Sequence, residues 1–149
     1  MKINKASAED HIILTEITLR SKNHWGYGKE QIELWREDLT ISEVYIGNHS
    51  VYKIMDKEIL IGYYSYFKLE DKKAKLDNLF IDSDYIGKGI GRKLMDDFLK
   101  RVKEENYEII TLDADPNATN FYLKYGFEII GKIPTSIEGR FLPVMEKML

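Results

Sequence analysis

The chain has 149 residues, 44% of them hydrophobic and 32% charged. That is the size of a single domain, 1–149, and enough chain to bury a core without covalent staples. Acidic residues number 25 against 22 basic ones, a net charge of −3, so the broad basic field of a nucleic-acid binder is missing and no nucleic-acid partner is expected.

With no cysteine, disulfides, thiolate nucleophiles and cysteine-ligated metal centres are excluded. Lys2–Ala6 alternates and predicts a short first strand. Behind it lies no apolar run long enough for a signal peptide. No stretch approaches ~20 apolar residues, so no membrane partner is expected and the reading is cytoplasmic. Ser7-Ala8-Glu9-Asp10 has the hydroxyl and the acid of a helix start, followed by a face of Ile13, Leu14, Ile17 and Ser21. His24-Trp25-Gly26-Tyr27-Gly28 interrupts it, and 29–39 predicts a second helix with Ile32, Leu34, Trp35 and Leu39 as apolar members. From Val51 the period shortens. Strands are expected at 51–55, 59–69 and 74–81, an antiparallel meander. A strong helix follows Gly91, with Ile90, Leu94, Phe98 and Val102 on one stripe. Residues 108–112 form a short strand, Asp115-Pro116 opens a further helix that stops at Gly126, and 127–133 and 141–148 close the chain as strands. This order predicts an α+β or mixed α/β sheet, antiparallel first, with a strand–helix–strand crossover near 76–112.

The sharpest local signal is the turn Gly87-Lys88-Gly89-Ile90-Gly91 between a strand and a helix. A helix start carries unpaired N–H groups and partial positive charge, and glycines let the backbone approach a ligand, so the turn suits a phosphate or pyrophosphate. Lys88, Arg92 and Lys93 add charge at the same end. The spacing is neither that of the P-loop nor that of the dinucleotide fingerprint. A tight connection with no ligand is the plain alternative.

The run 79–94, Leu-Phe-Ile-Asp-Ser-Asp-Tyr-Ile-Gly-Lys-Gly-Ile-Gly-Arg-Lys-Leu, resembles the acetyl-CoA-binding motif of the GCN5-related N-acetyltransferases. The run 115–127, from Asp115-Pro116-Asn117 to Tyr125-Gly126-Phe127, is similar to that family's second motif. One position departs: Ile86 stands where the family often has Arg or Gln. The resemblance implies a three-layer fold, a mostly antiparallel central sheet with a β-α-β cofactor crossover and helices on both faces. It implies acetyl-CoA as cosubstrate. The backbone of Leu79, Phe80 and Ile81 would pair with the pantetheine arm. The amides of Gly87, Lys88, Gly89, Ile90, Gly91 and Arg92 would hold the pyrophosphate, and Asn117 would hydrogen-bond the cofactor. Tyr122 matches the family's frequent general acid, its plainer role being a core aromatic. Asp77 lies where many relatives carry Glu and would act as base toward the amine; Asp113 and Asp115 compete for that role, and a solvated strand carboxylate is the bland reading. His24, Trp25 and Tyr27 are candidates to line an acceptor pocket, and Arg140 to meet an acidic group.

These implications describe an N-acetyltransferase in which a primary amine, of a small molecule or a peptide, attacks the thioester directly in a ternary complex. The rivals are a non-catalytic acyl-CoA sensor and a nucleotide-binding domain. Exposed strands and aromatics leave room for a homodimer.

Overall fold

Ser7 and Asp10 set the phase of everything that follows them. In the computed structural model, which describes all 149 residues, the Asp10 carboxylate accepts the Ser7 N–H at 2.9 Å and holds a single turn, Ala8–Asp10, in front of helix α1 (His11–His24). Strand β1 (Lys2–Lys5) precedes them; α2 (Lys29–Leu39) and α3 (Glu43–Asn48) come after. The strands β2 (Ser50–Asp56), β3 (Ile59–Glu70) and β4 (Lys73–Ile81) are joined by tight turns, and α4 (Ile90–Glu104) leads to β5 (Ile109–Asp113). Then come α5 (Thr119–Lys124), β6 (Glu128–Pro134) and β7 (Phe141–Met148). The seven strands are ordered β1-β2-β3-β4-β5-β7-β6. No helix is long and apolar enough to cross a membrane.

The chain divides into two compact units, residues 1–66 with 78–100, and residues 67–77 with 101–149. In the first unit β1 and β3 flank β2 in antiparallel register. Every residue from Leu60 to Tyr66 is buried, so this part of the sheet is covered on both faces. Successive tyrosines show how. Tyr63 shares a hydrogen bond with Thr18 of α1, 2.6 Å, while Tyr64, pointing the other way, donates to Asp97 of α4, 2.6 Å. One core gathers Leu14, Ile17, Ile41, Ile46, Val51 and Tyr63. On the opposite face Phe98 packs against Tyr64 and Tyr66 at ring distances of 5.4 and 5.3 Å.

In the second unit β5 lies parallel to β4, pairing Lys73–Lys75 with Ile109–Thr111. This is the crossover expected from the sequence. β7 runs antiparallel to β5 and β6 antiparallel to β7, with a bulge between Ile129 and Gly131. Ala74, Leu76, Val102, Ile110, Leu112, Ala114, Tyr122, Phe127 and Met145 are its buried apolar residues. Lys73 and Lys75 cross the strands to Glu146 and Asp113 at 2.7 and 2.9 Å.

Three details differ from the sequence expectation. A third helix, α3, stands between α2 and β2, started by Ser42, whose hydroxyl accepts the Tyr45 N–H at 3.0 Å. It is only six residues long and contains Gly47 and Asn48, so no periodic stripe announces it. The buried face of α1 is Leu14, Ile17, Thr18 and Ser21, with Ile13 exposed. Thr18 can be buried because its hydroxyl bonds Leu14 O and Tyr63, which leaves no polar group unpaired there. Leu34 of α2, expected on an apolar face, is exposed, and Ile32 is the helix's buried residue.

Candidate functional site

The exit from β4 is held firmly before the glycine turn begins. Asp82 is buried; its N–H bonds Ile61 O at 2.8 Å, and its carboxylate accepts the Asp84 N–H at 3.2 Å and is gripped by Arg20 of α1. The strand next to it must be small here. A Cβ on Gly62 of β3 would stand 2.9 Å from Phe80 O, 3.3 Å from Ile54 and 3.4 Å from Leu94. Only glycine allows the β4 backbone at Phe80 to lie this close to β3.

After a short turn at Ser83–Tyr85 the chain reaches Gly87 and Gly89, at φ +84° and +79°. L-residues with side chains rarely take this conformation. Neither glycine is there for want of internal room, because a Cβ at either position would meet nothing within 4 Å. The turn is therefore bent and open to the outside. Immediately behind it α4 begins. Lys93 N–H closes on Gly89 O at 3.3 Å, and a helix start of this kind turns its first N–H groups outward, ahead of its own hydrogen-bond ladder. The first turn of α4 contains no acid. Lys88, Arg92 and Lys93 are exposed around it, and Lys88 rests over the Tyr85 ring at 5.2 Å. Ile90 points the other way and is buried, anchoring the helix start in the core. An open glycine bend, an acid-free helix start and exposed basic side chains are together suited to an anionic group such as a diphosphate. The residues present fit the group that the sequence motif implies.

Leu79, Phe80, Ile81 and the whole of Gly87–Arg92 thus fall within the first unit. Asp77, Asn117 and Tyr122 belong to the second. Asp77 is exposed on β4. Asn117 sits in the turn Pro116–Ala118, where the Asp115 carboxylate accepts its backbone N–H at 2.9 Å and its side-chain amide at 3.0 Å. Asp115 also meets Arg140 at 3.7 Å, so it serves as the cap of this turn and as Arg140's counter-ion. Asp113 is paired with Lys75. Tyr122 is buried, in edge contact with Phe121 and Phe127. Burial, seconded by the Asp115 charge, pushes its phenol far above the ordinary tyrosine value. At neutral pH Tyr122 holds its proton.

Of the aromatic residues near Gly28, His24 and Trp25 touch each other, rings 5.0 Å apart, whereas Tyr27 packs on Trp35 at 4.9 Å. Trp35 read from the sequence as one more apolar helix position. Its juxtaposition with Tyr27 has no periodic signature, because it depends on how α2 leaves the Gly28 turn.

Comparison with known proteins agrees with this geometry. The family model for the acetyltransferase (GNAT) domain matches residues 26–148. A PaiA N-acetyltransferase from Thermoplasma acidophilum, solved in complex with coenzyme A, superposes with a TM-score of 0.81 at 25% identity, covering 99% of this chain and 98% of that one. A GCN5-related N-acetyltransferase (aminotransferase, class-II) from Rhodopseudomonas palustris gives the same TM-score, 0.81, at 24% identity over 99% and 95% of the two chains, which bears on fold alone. Among curated relatives, the uncharacterized N-acetyltransferase ycf52 of Gracilaria tenuistipitata var. liui is 35% identical over 68 residues. That stretch is 46% of this chain and 36% of the relative, so the chain spans little more than a third of its length. The match through both motifs and the fold around them lead to one statement: the chain belongs to the GNAT acetyltransferase family.

Proposed function

We propose that the chain, 1–149, works as one acetyl-CoA-dependent N-acetyltransferase domain, passing the acetyl group to a primary amine that attacks directly in a ternary complex. The observation that carries this reading is the open, positive-φ turn at Gly87 and Gly89 set against the acid-free start of α4. Acetyl-CoA supplies the thioester whose acetyl carbon the amine attacks. The amides of Gly87–Arg92 hold its pyrophosphate, and the backbone of Leu79, Phe80 and Ile81 pairs with its pantetheine arm as an added strand would. Asn117 hydrogen-bonds the cofactor through its amide.

Two side chains manage the protons. A new C–N bond forms as the C–S bond breaks, leaving a proton to be removed from nitrogen and one to be given to sulfur. Asp77, exposed and therefore within reach of water and acceptor, takes the first, directly or through a water molecule. Tyr122 gives its O–H to the departing sulfur. Its burial supports this role, since the phenol is protonated at every pH where the reaction would run.

Calorimetry with acetyl-CoA, followed by CoA release across a panel of amines, tests the reading. Tight binding with turnover on some amine is the expected result. Binding without turnover on any amine would make the domain an acyl-CoA sensor, and ADP binding as tight as that of CoA would make it a nucleotide binder. Tyr122→Phe is expected to lower kcat about a hundredfold with little change in acetyl-CoA affinity. The wild-type rate should show no falling limb from Tyr122 ionisation up to pH ~10, the value of an unperturbed phenol. An unchanged kcat in Tyr122→Phe removes the residue from the mechanism.

A further inference from the structure

Beside β4, in the first unit, an ammonium group sits among three aromatic rings. Lys22 Nζ, near the end of α1, lies 5.8 Å from the centre of the Tyr27 ring, 5.8 Å from Trp35 and 5.7 Å from Phe80. The rings come from three different places in the chain: the Gly26–Gly28 turn, the middle of α2, and β4. Tyr27 and Trp35 meet edge to face, at 71°, which sets two walls of a box at nearly a right angle. All three rings and the lysine are only partly buried, so the box is reachable from solvent. A cation within about 6 Å of a ring centre is attracted by the ring's quadrupole, and several rings converging on one point is the arrangement that recognises quaternary and methylated ammonium groups.

We propose that Tyr27, Trp35 and Phe80 form a cation-binding box for an ammonium group of the acceptor, and that Lys22 occupies it as an internal stand-in until the acceptor displaces it. The role as an acceptor subsite rests on the transferase reading above; the existence of the box does not. Phe80 links the two, for its backbone is the proposed partner of the pantetheine arm while its ring forms the wall. The box also constrains the acceptor's chemistry. The nitrogen that attacks a thioester must be neutral, and a box of this kind holds a charged one. The acceptor therefore carries a second cationic group, an ammonium or a quaternary ammonium, besides the amine that reacts.

The box is tested without any turnover, which separates its failure from failure of the transferase reading. Choline is titrated into the protein and followed by the fluorescence of Trp35 in a Trp25→Phe background. Its neutral carbon isostere, in which a tert-butyl group replaces trimethylammonium, serves as control. In the parent, Lys22 competes and binding is weak. Lys22→Ala empties the box, and choline affinity is expected to rise about tenfold, the share of box that the lysine had occupied. The neutral isostere should gain nothing. Tyr27→Leu added to Lys22→Ala should remove most of that gain; Phe80→Leu in the same background is the second check should loss of Tyr27 unfold α2, scored by circular dichroism. Equal choline affinity with and without Lys22, or equal gain for choline and its isostere, would overturn the proposal.

Discussion

Two Gly-x-Gly turns lead into helices in this chain, and the φ angles of their glycines are nearly the same. Gly26 and Gly28 stand at φ +83° ahead of α2; Gly87 and Gly89 stand at +84° and +79° ahead of α4. A Cβ at any of the four would meet nothing within 4 Å. Both turns are followed or interrupted by a lysine, Lys29 in one and Lys88 in the other. Yet the surroundings diverge. The first turn closes α1, with Gly26 N–H on Asn23 O at 3.1 Å, is lined by Trp25 and Tyr27, and opens a helix whose first turn holds Glu30. The second follows a strand clamped at Asp82 and opens a helix with Arg92 and Lys93 and no acid. A glycine bend supplies amides; the charge of the helix's first turn decides whether an anion is welcome there.

The comparison breaks or holds on a pair of substitutions. Gly89→Val forces a β-branched residue into the left-handed region, at a cost of about 1–2 kcal/mol. It should weaken acetyl-CoA binding about tenfold or more, since the strain falls on the amides that would hold the pyrophosphate. Gly28→Val is also strained, at φ +83° and ψ 156°, and should lower thermal stability while leaving acetyl-CoA affinity unchanged. Calorimetry and thermal unfolding on both variants read the two effects separately. If both lose affinity alike, the effect is one of general stability, and the second turn is not special.

How far the sequence shows this depends on the physical range of each feature. The α4 stripe of Ile90, Leu94, Phe98 and Val102 is legible because it repeats every turn, and all four are buried. The parallel pairing of β4 with β5 is legible because a helix intervenes between two strands. The glycine turn is legible as a local cluster. Helix α3 is not, since six residues hold less than two turns and its start depends on one hydroxyl, that of Ser42. The buried Thr18 is not legible either. Its place on the core face depends on a partner 45 residues away, Tyr63, whose hydroxyl removes the cost of burying a polar side chain. The box around Lys22 escapes notice for the same reason, as its walls are brought together by the fold and not by spacing. On β6, Ile129, Ile130 and Ile133 look like core residues by composition but are all exposed, because β6 is the last strand of the sheet and has β7 as its one neighbour.

A third entrance supplies the next test. Ahead of α5 the amides are taken by the chain itself, for Asp115 accepts the Asn117 N–H and Pro116 occupies the first position of the turn. This is how a helix start is capped by the chain's own side chain, leaving its backbone amides no role toward an anion. Asp115→Ala should cost about 1 kcal/mol, lowering Tm by about 2–4 °C in a chain of this length. Arg140 also loses its carboxylate at 3.7 Å. An unchanged Tm would show that the cap is replaced by water at no cost, and the contrast with the open start of α4 would lose its energetic basis.

The smallest effect separates charge from shape at the α4 turn. Arg92→Glu leaves Gly87 and Gly89 in place but puts an acid in the first turn of α4, as Glu30 does in α2. A charge near a helix terminus is worth about 0.3–1 kcal/mol, so reversing it should weaken acetyl-CoA binding several-fold. Because Arg92 is exposed, the loss should shrink as salt is raised toward 1 M, where the screening length falls to about 3 Å. The Gly89→Val defect is one of conformation and should not respond to salt. Measuring both variants at low and high ionic strength therefore distinguishes them. A loss in Arg92→Glu that persists undiminished at high salt would mean that the side chain shapes the turn, and that charge is not what sets the two glycine bends apart.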